Sequence, residues 1–590
     1  MAHSHRKIHL LVMAALMVAA VLSAIAASVS AQGQGAQPGR GGWQTHEEAY
    51  HPSRVIVRFA DAVRAQDAED AVSRLGYSLL RTARFEPSAA FPNGVRFGIV
   101  ELPKGESVEN ALGKLGAAPG IMYAEKDFMR YRDQSPVIPN DPRFPEMWGL
   151  QNQDLPPELK DPMMSGDPVD DADIDMPEAW ARHTNSQEVI VGLIDTGAYI
   201  EHPDLAENIW VNDEEFNGTP GVDDDGNGYI DDIHGWDFFN NDNTVWDRDE
   251  RDQWGYLNDE HGTHTAGTIG AITNNATGVS GINWDIQIII LKFLGPEGGY
   301  TSDATLALEY AVDKGAKLTS NSWGGGPFSQ ALKDAIEASG ILFVAAAGNS
   351  GVDNDVSPHY PSSYDSPNII AVGASAQNDQ RCYYPGWWSS NWGDTSVDLF
   401  APGGFILSTI PPDPPPAPGE PPEEAYEFFY GTSMATPHVS GVAAGLVSVY
   451  PDLPQYPGAP GWVEGSPSIK GIILDTVDVK PAFEGLCVSG GRLNAANAFA
   501  MSLPPIVTSA NAEPREGEPP LLVTFSASAT DVDGEIADYW WDFGDGSPVV
   551  HEYDTTHTYE DQGFFDASFH AVDDSGLETT AVITIHVFYP

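Results

Sequence analysis

The run EVIVGLID at residues 188–195 is almost entirely apolar and shows no alternation between polar and apolar positions. A strand buried on both faces of a parallel sheet has this composition. Four similar runs follow, and helical patterns such as DATLALEYAVDKG (303–315) and FSQALKDAIEASG (328–340) fall between them. Those four runs are IQIIILKF (286–293), KLTSNSW (317–323), GILFVAAAG (340–348) and NIIAVGAS (368–375). Alternating strands and helices predict an α/β domain with a doubly wound parallel sheet, whose site lies at the carboxyl ends of the strands.

A smaller unit precedes this domain. RVIVRF (54–59) alternates like a strand, and VRFGIVEL (95–102) and IMYAEKDF (121–128) predict two more strands. Apolar periodicity predicts helices over 61–75 and 107–115. The polar, Pro-rich connector RDQSPVIPNDPRFPE (132–146) then predicts a domain boundary and an accessible cleavage site. The unit is therefore expected to be a small α+β fold.

The pattern changes again after about residue 504, where helical periodicity stops. LLVTFSASATD (521–531), IADYWWDFGDGS (536–547) and TTAVITIHV (579–587) predict strands separated by turns. This spacing predicts a small β-sandwich of the immunoglobulin-like type, with Trp541 and Phe543 in its core. The Pro-rich insert PPDPPPAPGEPPEE (411–424) is expected to be a surface loop of the preceding domain.

Composition and the N-terminus narrow the functional class. Acidic residues outnumber basic ones by 85 to 29, giving a formal net charge of −56. This charge argues against nucleic-acid binding, which depends on a basic surface. The chain begins with a short basic lead, an apolar run to about Ala27 and the small residues Val29-Ser30-Ala31, which predict a signal peptide over 1–31. The alternative is an uncleaved membrane anchor.

Export would permit a disulfide, and the chain has two cysteines, Cys382 and Cys487. The sequence gives no distance between them and leaves their pairing open. It likewise leaves open whether the acidity reflects calcium binding or adaptation to high salt.

Three residues of the α/β domain fit one chemical mechanism. Asp195 ends a predicted strand, while His261 and Ser433 stand where helices are expected to begin. Taken singly they suit a turn residue, a core histidine and a helix cap. Together they supply a serine nucleophile, an imidazole to take its proton and a carboxylate to orient the imidazole. The order Asp, His, Ser is one of the orders in which such triads occur.

The segments around these residues resemble the signatures of the subtilisin-like serine proteases. They are VIVGLIDTGAYIEHPDL (189–205), EHGTHTAGTIGA (260–271) and GTSMATPHVSGVAAGLV (431–447). The resemblance covers about residues 135–501 and implies that Asp195 orients His261, the general base and acid, while Ser433 attacks the peptide carbonyl. Three further histidines of these segments, His202, His264 and His438, do not match the catalytic position and are expected to be structural.

Two more segments resemble functional parts of the same family. VAAAGNSG (344–351) resembles the oxyanion segment, which implies that Asn349 donates a hydrogen bond to the developing oxyanion beside the backbone N–H of Ser433. SNSWGGG (320–326) resembles the segment that lines the substrate cleft. It implies that Ser322, Trp323 and Gly324 pair with the substrate as an added β-strand.

The stretch DDDGNGYIDDIHGWDF (223–238) predicts a calcium loop between the Asp and His segments. Oxygen ligands at alternate positions around a glycine turn are typical of such loops. The pattern departs at its last ligand position, where His234 replaces the usual glutamate, and Asp232 is expected to supply the missing carboxylate. The candidate ligands of a structural calcium ion are Asp223, Asp225, Asn227, Tyr229, Asp231 and Asp232. The alternative is a solvated acidic loop.

YWWDFGDGS (539–547) and HTYEDQGFF (557–565) resemble polycystic-kidney-disease-type (PKD) domains. The expected organisation is a signal peptide (1–31), an inhibitory propeptide (50–133), a subtilisin-like catalytic domain (134–502) and a PKD-type domain (504–590). The prediction is a secreted, monomeric serine endopeptidase made as a preproprotein. Its expected partners are protein or peptide substrates and its own propeptide, with no nucleic acid and no membrane after signal cleavage.

Two alternatives from other classes stay open at this point. One is a non-catalytic secreted surface-binding protein, which would be expected to lack a triad residue. The other is a serine esterase, which typically carries a G-x-S-x-G elbow with the serine first in chain order. The residues present match neither of these two expectations, so both alternatives rank below the serine endopeptidase.

Overall fold

The computed structural model describes residues 50–59, 71–85, 95–103, 106–128, 135–153, 155–416, 423–462 and 466–589. The expected signal peptide at 1–31, most of the expected helix at 61–75 and part of the Pro-rich insert lie outside these residues. Within them, no helix combines the length and the apolar character needed to cross a membrane.

The N-terminal unit is a small antiparallel sheet with a helix packed on it. Its strands are β1 (Tyr50–Phe59), β2 (Ser78–Phe85), β3 (Val95–Glu101) and β4 (Ile121–Phe128). Helix α1 (Val108–Gly116) packs on the sheet, and the described residues 71–73 are also helical. The sheet order is β2-β3-β1-β4. Val55 and Val57 are fully buried, as the alternating pattern of β1 predicts. Helix α1 begins where the Ser107 hydroxyl accepts the backbone N–H of Asn110, which satisfies one unpaired amide of the first turn.

A nine-stranded sheet forms the middle of the α/β domain. Its strands are β5 (Asn185–Asp195), β6 (Gly235–Asp237), β7 (Asp285–Lys292), β8 (Leu318–Asn321), β9 (Leu342–Ala346), β10 (Ile369–Ser375), β13 (Leu399–Pro402), β16 (Asp478–Val479) and β17 (Gly491–Arg492). The order is β16-β17-β13-β10-β9-β8-β5-β7-β6, and every pair is parallel except β16–β17. Two short hairpins lie outside it: β11 (Tyr383–Tyr384) with β12 (Trp388–Ser389), and β14 (Ile406–Thr409) with β15 (Tyr426–Phe429).

Helices cover both faces of this sheet. They are α2 (Met176–Trp180), α3 (Asp213–Phe216), α4 (Glu260–Gly270), α5 (Thr301–Asp313), α6 (Gln330–Ser339), α7 (Thr432–Val449), α8 (Ile469–Asp475) and α9 (Ala495–Ala500). Ile288 and Ile290 face the core that contains α4 and α7, whereas Ile289 and Leu291 face the core that contains α5 and α6. Because both faces are buried, the strands need no polar positions, and the predicted doubly wound α/β fold is confirmed.

The C-terminal unit is a sandwich of two antiparallel layers. Its strands are β18 (Ile506–Glu513), β19 (Glu516–Gly517), β20 (Leu521–Thr530), β21 (Ile536–Asp542), β22 (Asp554–Tyr559), β23 (Gly563–Asp573) and β24 (Glu578–Val587). One layer has the order β18-β20-β22 and the other β19-β24-β23-β21, in which the short β19 runs parallel to β24. Trp541 and Phe543 are buried against Phe525 between the layers. The immunoglobulin-like sandwich and its aromatic core are therefore as predicted.

The two cysteines do not pair. Cys382 lies in the main core of the α/β domain, and Cys487 lies in a separate apolar cluster with Phe400 and Phe483. Both thiols are buried, and burial raises the pKa of each. They therefore pack as small apolar side chains.

Candidate active site

Asp195 lies at the carboxyl end of β5, where the order of the sheet reverses. After β5 the chain forms β6 and β7 on one side of it and then crosses to β8 on the other, and such a switch point is where α/β sheets place their sites. The Asp195 side chain is fully buried. Its Oδ1 accepts the backbone N–H of Thr196 at 2.7 Å and lies 2.7 Å from Nδ1 of His261. The strand end and the α4 residue are thus joined directly.

His261 stands in the first turn of α4 and faces both Asp195 and solvent. Because a carboxylate accepts the bond at Nδ1, that nitrogen carries the hydrogen, and in the neutral ring Nε2 is the free base. Burial would lower the pKa of His261, but the negative charge and the hydrogen bond of Asp195 outweigh it, so this pKa is raised. The side chain keeps 31% of its surface exposed, which leaves the ring accessible to a bound molecule.

Ser433 is the second residue of α7 and lies across the cleft. Its hydroxyl donates to the carbonyl oxygen of Ser322 at 3.1 Å, while the Ser322 hydroxyl donates to the carbonyl oxygen of Ser433 at 2.8 Å. This reciprocal pair fixes the end of β8 against the start of α7. The backbone N–H groups of the first turn of α7 point out of the helix at this place.

Asn349 follows β9 and has one defined amide orientation. Its Oδ1 accepts both the backbone N–H and the hydroxyl of Thr432, at 2.9 and 3.1 Å. With the oxygen occupied by two donors, the Nδ2 amino group is left as a donor on the exposed side of the residue.

A single cleft of about 370 Å³ brings the predicted residues together. His261, Ser433 and Asn349 line it, and Ser322, Trp323 and Gly324 form part of its wall. The Trp323 ring packs against Phe293 and Phe343, with ring centroids 4.8 and 6.1 Å apart, so most of its contact is with the core. Gly324 is exposed along the cleft.

The three other histidines of the quoted segments lie in packed surroundings. His264 stacks on Phe429 and bonds to the carbonyl oxygen of Ile406 at 2.9 Å, and burial lowers its pKa to about 3. Burial also lowers the pKa of His202 and of His438 to about 4. These rings stay neutral near neutral pH and pack as part of the core.

The acidic loop brings three of its six predicted ligands together and engages the carboxylates of two others in backbone hydrogen bonds. Asp225, Asn227 and Asp232 meet, since the Asn227 amide donates to the carboxylates of Asp225 and Asp232 at 3.1 and 2.7 Å. The Asp223 carboxylate instead accepts backbone N–H groups of residues 226–228, and that of Asp231 accepts the N–H of Gly221. The Tyr229 ring packs against Trp236 and Tyr310.

Glu215 joins this cluster and was missed by the sequence analysis. Carboxylate oxygens of Glu215, Asp225 and Asp232 lie within 4.8 Å of one another. Glu215 comes from α3, outside the calcium-loop pattern, and its buried carboxylate accepts the backbone N–H groups of Asp224, Asp225 and Asp231. Lys314 reaches the same place from the end of α5 and forms ion pairs with Asp225 and Asp232.

A buried lysine forms ion pairs with three carboxylates in the segment that precedes α4. The sequence analysis did not identify it. Lys292 ends β7 and is fully buried. Its ammonium lies 2.6 Å from Asp259, 2.8 Å from Glu250 and 3.0 Å from Asp247. Burial would lower the pKa of Lys292, but these carboxylates outweigh it and raise it. The sequence did contain a signal for this cluster, namely a lysine inside the apolar run IQIIILKF. A lysine buried with such a strand needs paired anions, which predicts carboxylates around it.

A buried carboxylate bonded to an imidazole, with a serine hydroxyl in the same cleft at the carboxyl edge of a parallel sheet, is typical of hydrolases that act through a serine nucleophile. Comparison with known proteins specifies the class further. The model of the subtilase family matches residues 186–498, that of the PKD domain residues 503–587, and that of the fervidolysin N-terminal prodomain residues 43–127.

Individual relatives agree with these matches. Thermitase of Thermoactinomyces vulgaris is 34% identical over 49% of this chain and 85% of its own length. The thermophilic serine proteinase of Bacillus sp. strain AK1 is 30% identical over 68% of this chain and 80% of its own length. The extracellular basic protease of Dichelobacter nodosus is 29% identical over 67% of this chain and 62% of its own length. The chain belongs to the subtilase family and is a subtilisin-like serine endopeptidase with an N-terminal prodomain and a C-terminal PKD domain.

Proposed function

We propose that Asp195, His261 and Ser433 form the catalytic triad and that the enzyme cleaves internal peptide bonds of proteins. The supporting observation is the buried Asp195 carboxylate, which holds Nδ1 of His261 at 2.7 Å in the same cleft as Ser433. When a substrate carbonyl enters, the Ser433 hydroxyl turns from the Ser322 carbonyl to Nε2 of His261. His261 takes the proton as the oxygen attacks, and then gives it to the leaving amine. Water repeats the sequence on the acyl-enzyme.

The oxyanion formed in each attack is stabilised by two donors, the Nδ2 amino group of Asn349 and the backbone N–H of Ser433. The Thr432 bonds that occupy the Asn349 oxygen support this role, because they direct the amino group toward the cleft before substrate arrives. A donor fixed in advance need not reorganise as charge develops, and removal of one such donor costs about 2.7–4 kcal/mol of transition-state stabilisation. The partial positive charge at the start of α7 acts in the same direction.

Substrate binding is assigned to the wall formed by Ser322, Trp323 and Gly324. This segment continues β8 past the sheet edge, so an extended peptide beside it adds a strand through main-chain hydrogen bonds. Such pairing recognises any peptide backbone, and selection among sequences falls to the side-chain pockets.

Replacement of the nucleophile tests the triad assignment. Ser433→Ala is expected to abolish casein hydrolysis and to leave the propeptide attached, because processing uses the same site. Wild-type enzyme should react with a serine-directed fluorophosphonate and the variant should not. Ser302→Ala, at an exposed position of α5, is the matched control and should behave as wild type. Undiminished casein hydrolysis by Ser433→Ala would contradict the assignment.

The proposed maturation follows the domain order 1–31, 50–133, 134–502 and 504–590. The first segment directs export and is removed, the second covers the cleft until it is cleaved within 131–146, and the mature enzyme acts outside the cell as a monomer. The prodomain match and the extracellular relative support this proposal. N-terminal sequencing of enzyme recovered from culture medium would contradict it if residues 1–31 were retained.

The cluster of Glu215, Asp225 and Asp232 is proposed to hold a structural calcium ion. Its donors are oxygens, as Ca²⁺ requires, and three carboxylates beside one ammonium leave a net charge of −2 for a divalent cation to neutralise. Asn227 would complete the set from the loop, and so would the remaining oxygens predicted at Asp223, Tyr229 and Asp231. The bound ion would fasten the segment between Asp195 and His261.

A further inference from the structure

The buried lysine at the end of β7 stands beside the residue that holds His261. Lys292 and Asp195 are register partners on the adjacent parallel strands β7 and β5. The residues before them, Leu291 and Ile194, face the core that contains α5 and α6. Because side chains alternate between the two faces of a strand, Lys292 and Asp195 both point to the face that α4 covers.

Each of these two side chains bonds to the start of α4. Asp195 Oδ1 lies 2.7 Å from His261 Nδ1, and the Lys292 ammonium lies 2.6 Å from Asp259 Oδ1. Asp259 stands two residues before His261, at the N-cap position of the helix. Two adjacent strand ends therefore hold α4 at two points within one helical turn.

Asp259 does not cap the helix in the ordinary way. An aspartate at the N-cap usually accepts a backbone N–H of the first turn, but the Asp259 side chain makes no such bond. Its Oδ2 accepts the backbone N–H of Asp247 at 2.7 Å, and its Oδ1 accepts from Lys292. The carboxylate therefore links α4 to β7 instead of capping the helix.

The first turn of α4 also packs closely on the residues that follow β5. The N–H of Gly262 donates to the Thr196 hydroxyl at 3.0 Å, and a Cβ placed on Gly262 would lie 2.0 Å from the carbonyl oxygen of Gly197. A Cβ placed on Gly197 would lie 3.0 Å from Oδ2 of Asp259. Because no space separates the two segments, a displacement of the helix start also displaces the imidazole in its first turn.

The two other partners of Lys292 do not belong to the helix. The carboxylates of Asp247 and Glu250 lie 3.0 and 2.8 Å from its ammonium, and these side chains keep 26% and 20% of their surface exposed. Lys292 and Asp259 are both fully buried. Charges interact more strongly where water is excluded, so Asp259 is the partner through which the lysine acts on α4.

We propose that Lys292 and Asp259 form a positioning ion pair that sets the place of His261 in the proposed triad. The proposal rests on that triad. Neither residue of the pair is among the described residues that line the cleft, so the pair acts through the helix and not on substrate. A misplacement of about 1 Å can cost about 10²-fold in rate, and a partial displacement of α4 is expected to cost about tenfold.

Removal of one carboxylate at a time tests the proposal. Asp259→Asn keeps the size of the side chain but turns an amide N–H toward one of the two donors that the carboxylate accepts. It should lower kcat about tenfold and leave KM within about twofold. Glu250→Gln removes a charge from the same lysine outside α4, and this matched control should keep kcat within about twofold. Both are assayed on a short peptide well below their Tm and at pH 9, because burial raises the pKa of Asp259 to about 7 and its carboxylate must be charged.

A second pair of variants decides the question if Asp259→Asn does not fold. Lys292→Arg keeps the positive charge and should retain most of kcat, whereas Lys292→Gln should lose about tenfold. An equal kcat in these two enzymes overturns the proposal. So does an equal loss in Asp259→Asn and Glu250→Gln, or an Asp259→Asn enzyme that differs from wild type only in KM or not at all. Casein hydrolysis by Ser433→Ala would instead contradict the triad on which the proposal rests.

Discussion

The carboxylate of Asp195 has one oxygen engaged and one left over. Oδ1 accepts from Thr196 and His261, while Oδ2 is buried and has no hydrogen-bond partner among the described residues. In the proposed mechanism, the negative charge of this carboxylate acts on the adjacent imidazole and favours the imidazolium that forms as Ser433 loses its proton.

This arrangement sets the proposed pH dependence. His261 must be neutral to accept a proton, and Asp195 raises its pKa, so kcat/KM should fall with falling pH through a midpoint above the ordinary imidazole value of about 6.5. Asp195→Asn removes the charge and the acceptor that fixes the tautomer. That variant is expected to lose about 10⁴-fold in kcat. The residual kcat/KM of this variant should fall with falling pH through a midpoint that is lower than that of the wild type.

Peptide hydrolysis measured from pH 5 to pH 9 checks both statements. The lowered pKa values of His264 and His438, about 3 and 4, lie outside that range and do not contribute to the profile. A wild-type midpoint below that of Asp195→Asn would show that Asp195 does not stabilise the charged ring.

The sequence singles out residues that a local motif marks, but it does not single out residues that meet only through tertiary contact. Asp195, His261, Asn349 and Ser433 stand in segments whose small neighbours mark them. Glu215 carries no such mark, because its position beside Asp225 and Asp232 depends on how α3 packs against the acidic loop.

At the scale of elements, the acidic loop shows which features a sequence pattern predicts and which it does not. The spacing of 223–232 locates a tight turn, and the structure uses Asp223 to form it through backbone N–H bonds. The cluster itself needs Glu215 from α3 and Lys314 from α5, and no sequence spacing joins these to the loop. Chain topology, which the loop pattern does not contain, determines which carboxylates meet in the cluster.

Calcium removal tests the role of this loop. With the enzyme blocked by a fluorophosphonate to prevent autolysis, chelation is expected to lower Tm, because an ion present at 100 times its Kd contributes about 2.7 kcal/mol. Asp232→Asn should lower Tm in the presence of calcium and abolish the effect of chelation. Asp213→Asn, at an exposed position of α3, is the matched control. An unchanged wild-type Tm on chelation would contradict the calcium proposal.

Helices and strands were predicted best where their apolar residues follow a clear helical or strand period. The helix expected over 107–115 is observed as Val108–Gly116, and the strand IMYAEKDF is β4 at Ile121–Phe128. The Pro-rich insert shows the limit: β14 and β15 flank it and pair antiparallel, with Ile406 opposite Phe429. Strands of four residues separated by a long insertion have too few apolar positions to define a period.

At the scale of the molecule, the proposed catalytic groups all belong to the α/β domain, and the sandwich joins it through a small contact. Ile506 belongs to the α/β core, Val532 packs against that core, and the Leu503 N–H donates to Asp533 at 2.9 Å. None of these residues lines the cleft. The sandwich is therefore expected to contribute to stability at the junction and to leave the chemistry of small substrates unaffected.

Truncation after Ile506 tests this separation of roles. The shortened enzyme should cleave short peptides with kcat/KM within about twofold of the full chain, because Asp195, His261, Ser433 and Asn349 keep their surroundings. Its Tm should fall by a few degrees, since about 1 kcal/mol corresponds to about 2–4 °C in a large domain. Full-length Asp533→Asn, which weakens the Leu503 bond and leaves the rest of the sandwich in place, should lower Tm by less than the truncation does. A loss of peptide hydrolysis of tenfold or more in the truncated enzyme would show instead that the sandwich shapes the catalytic cleft.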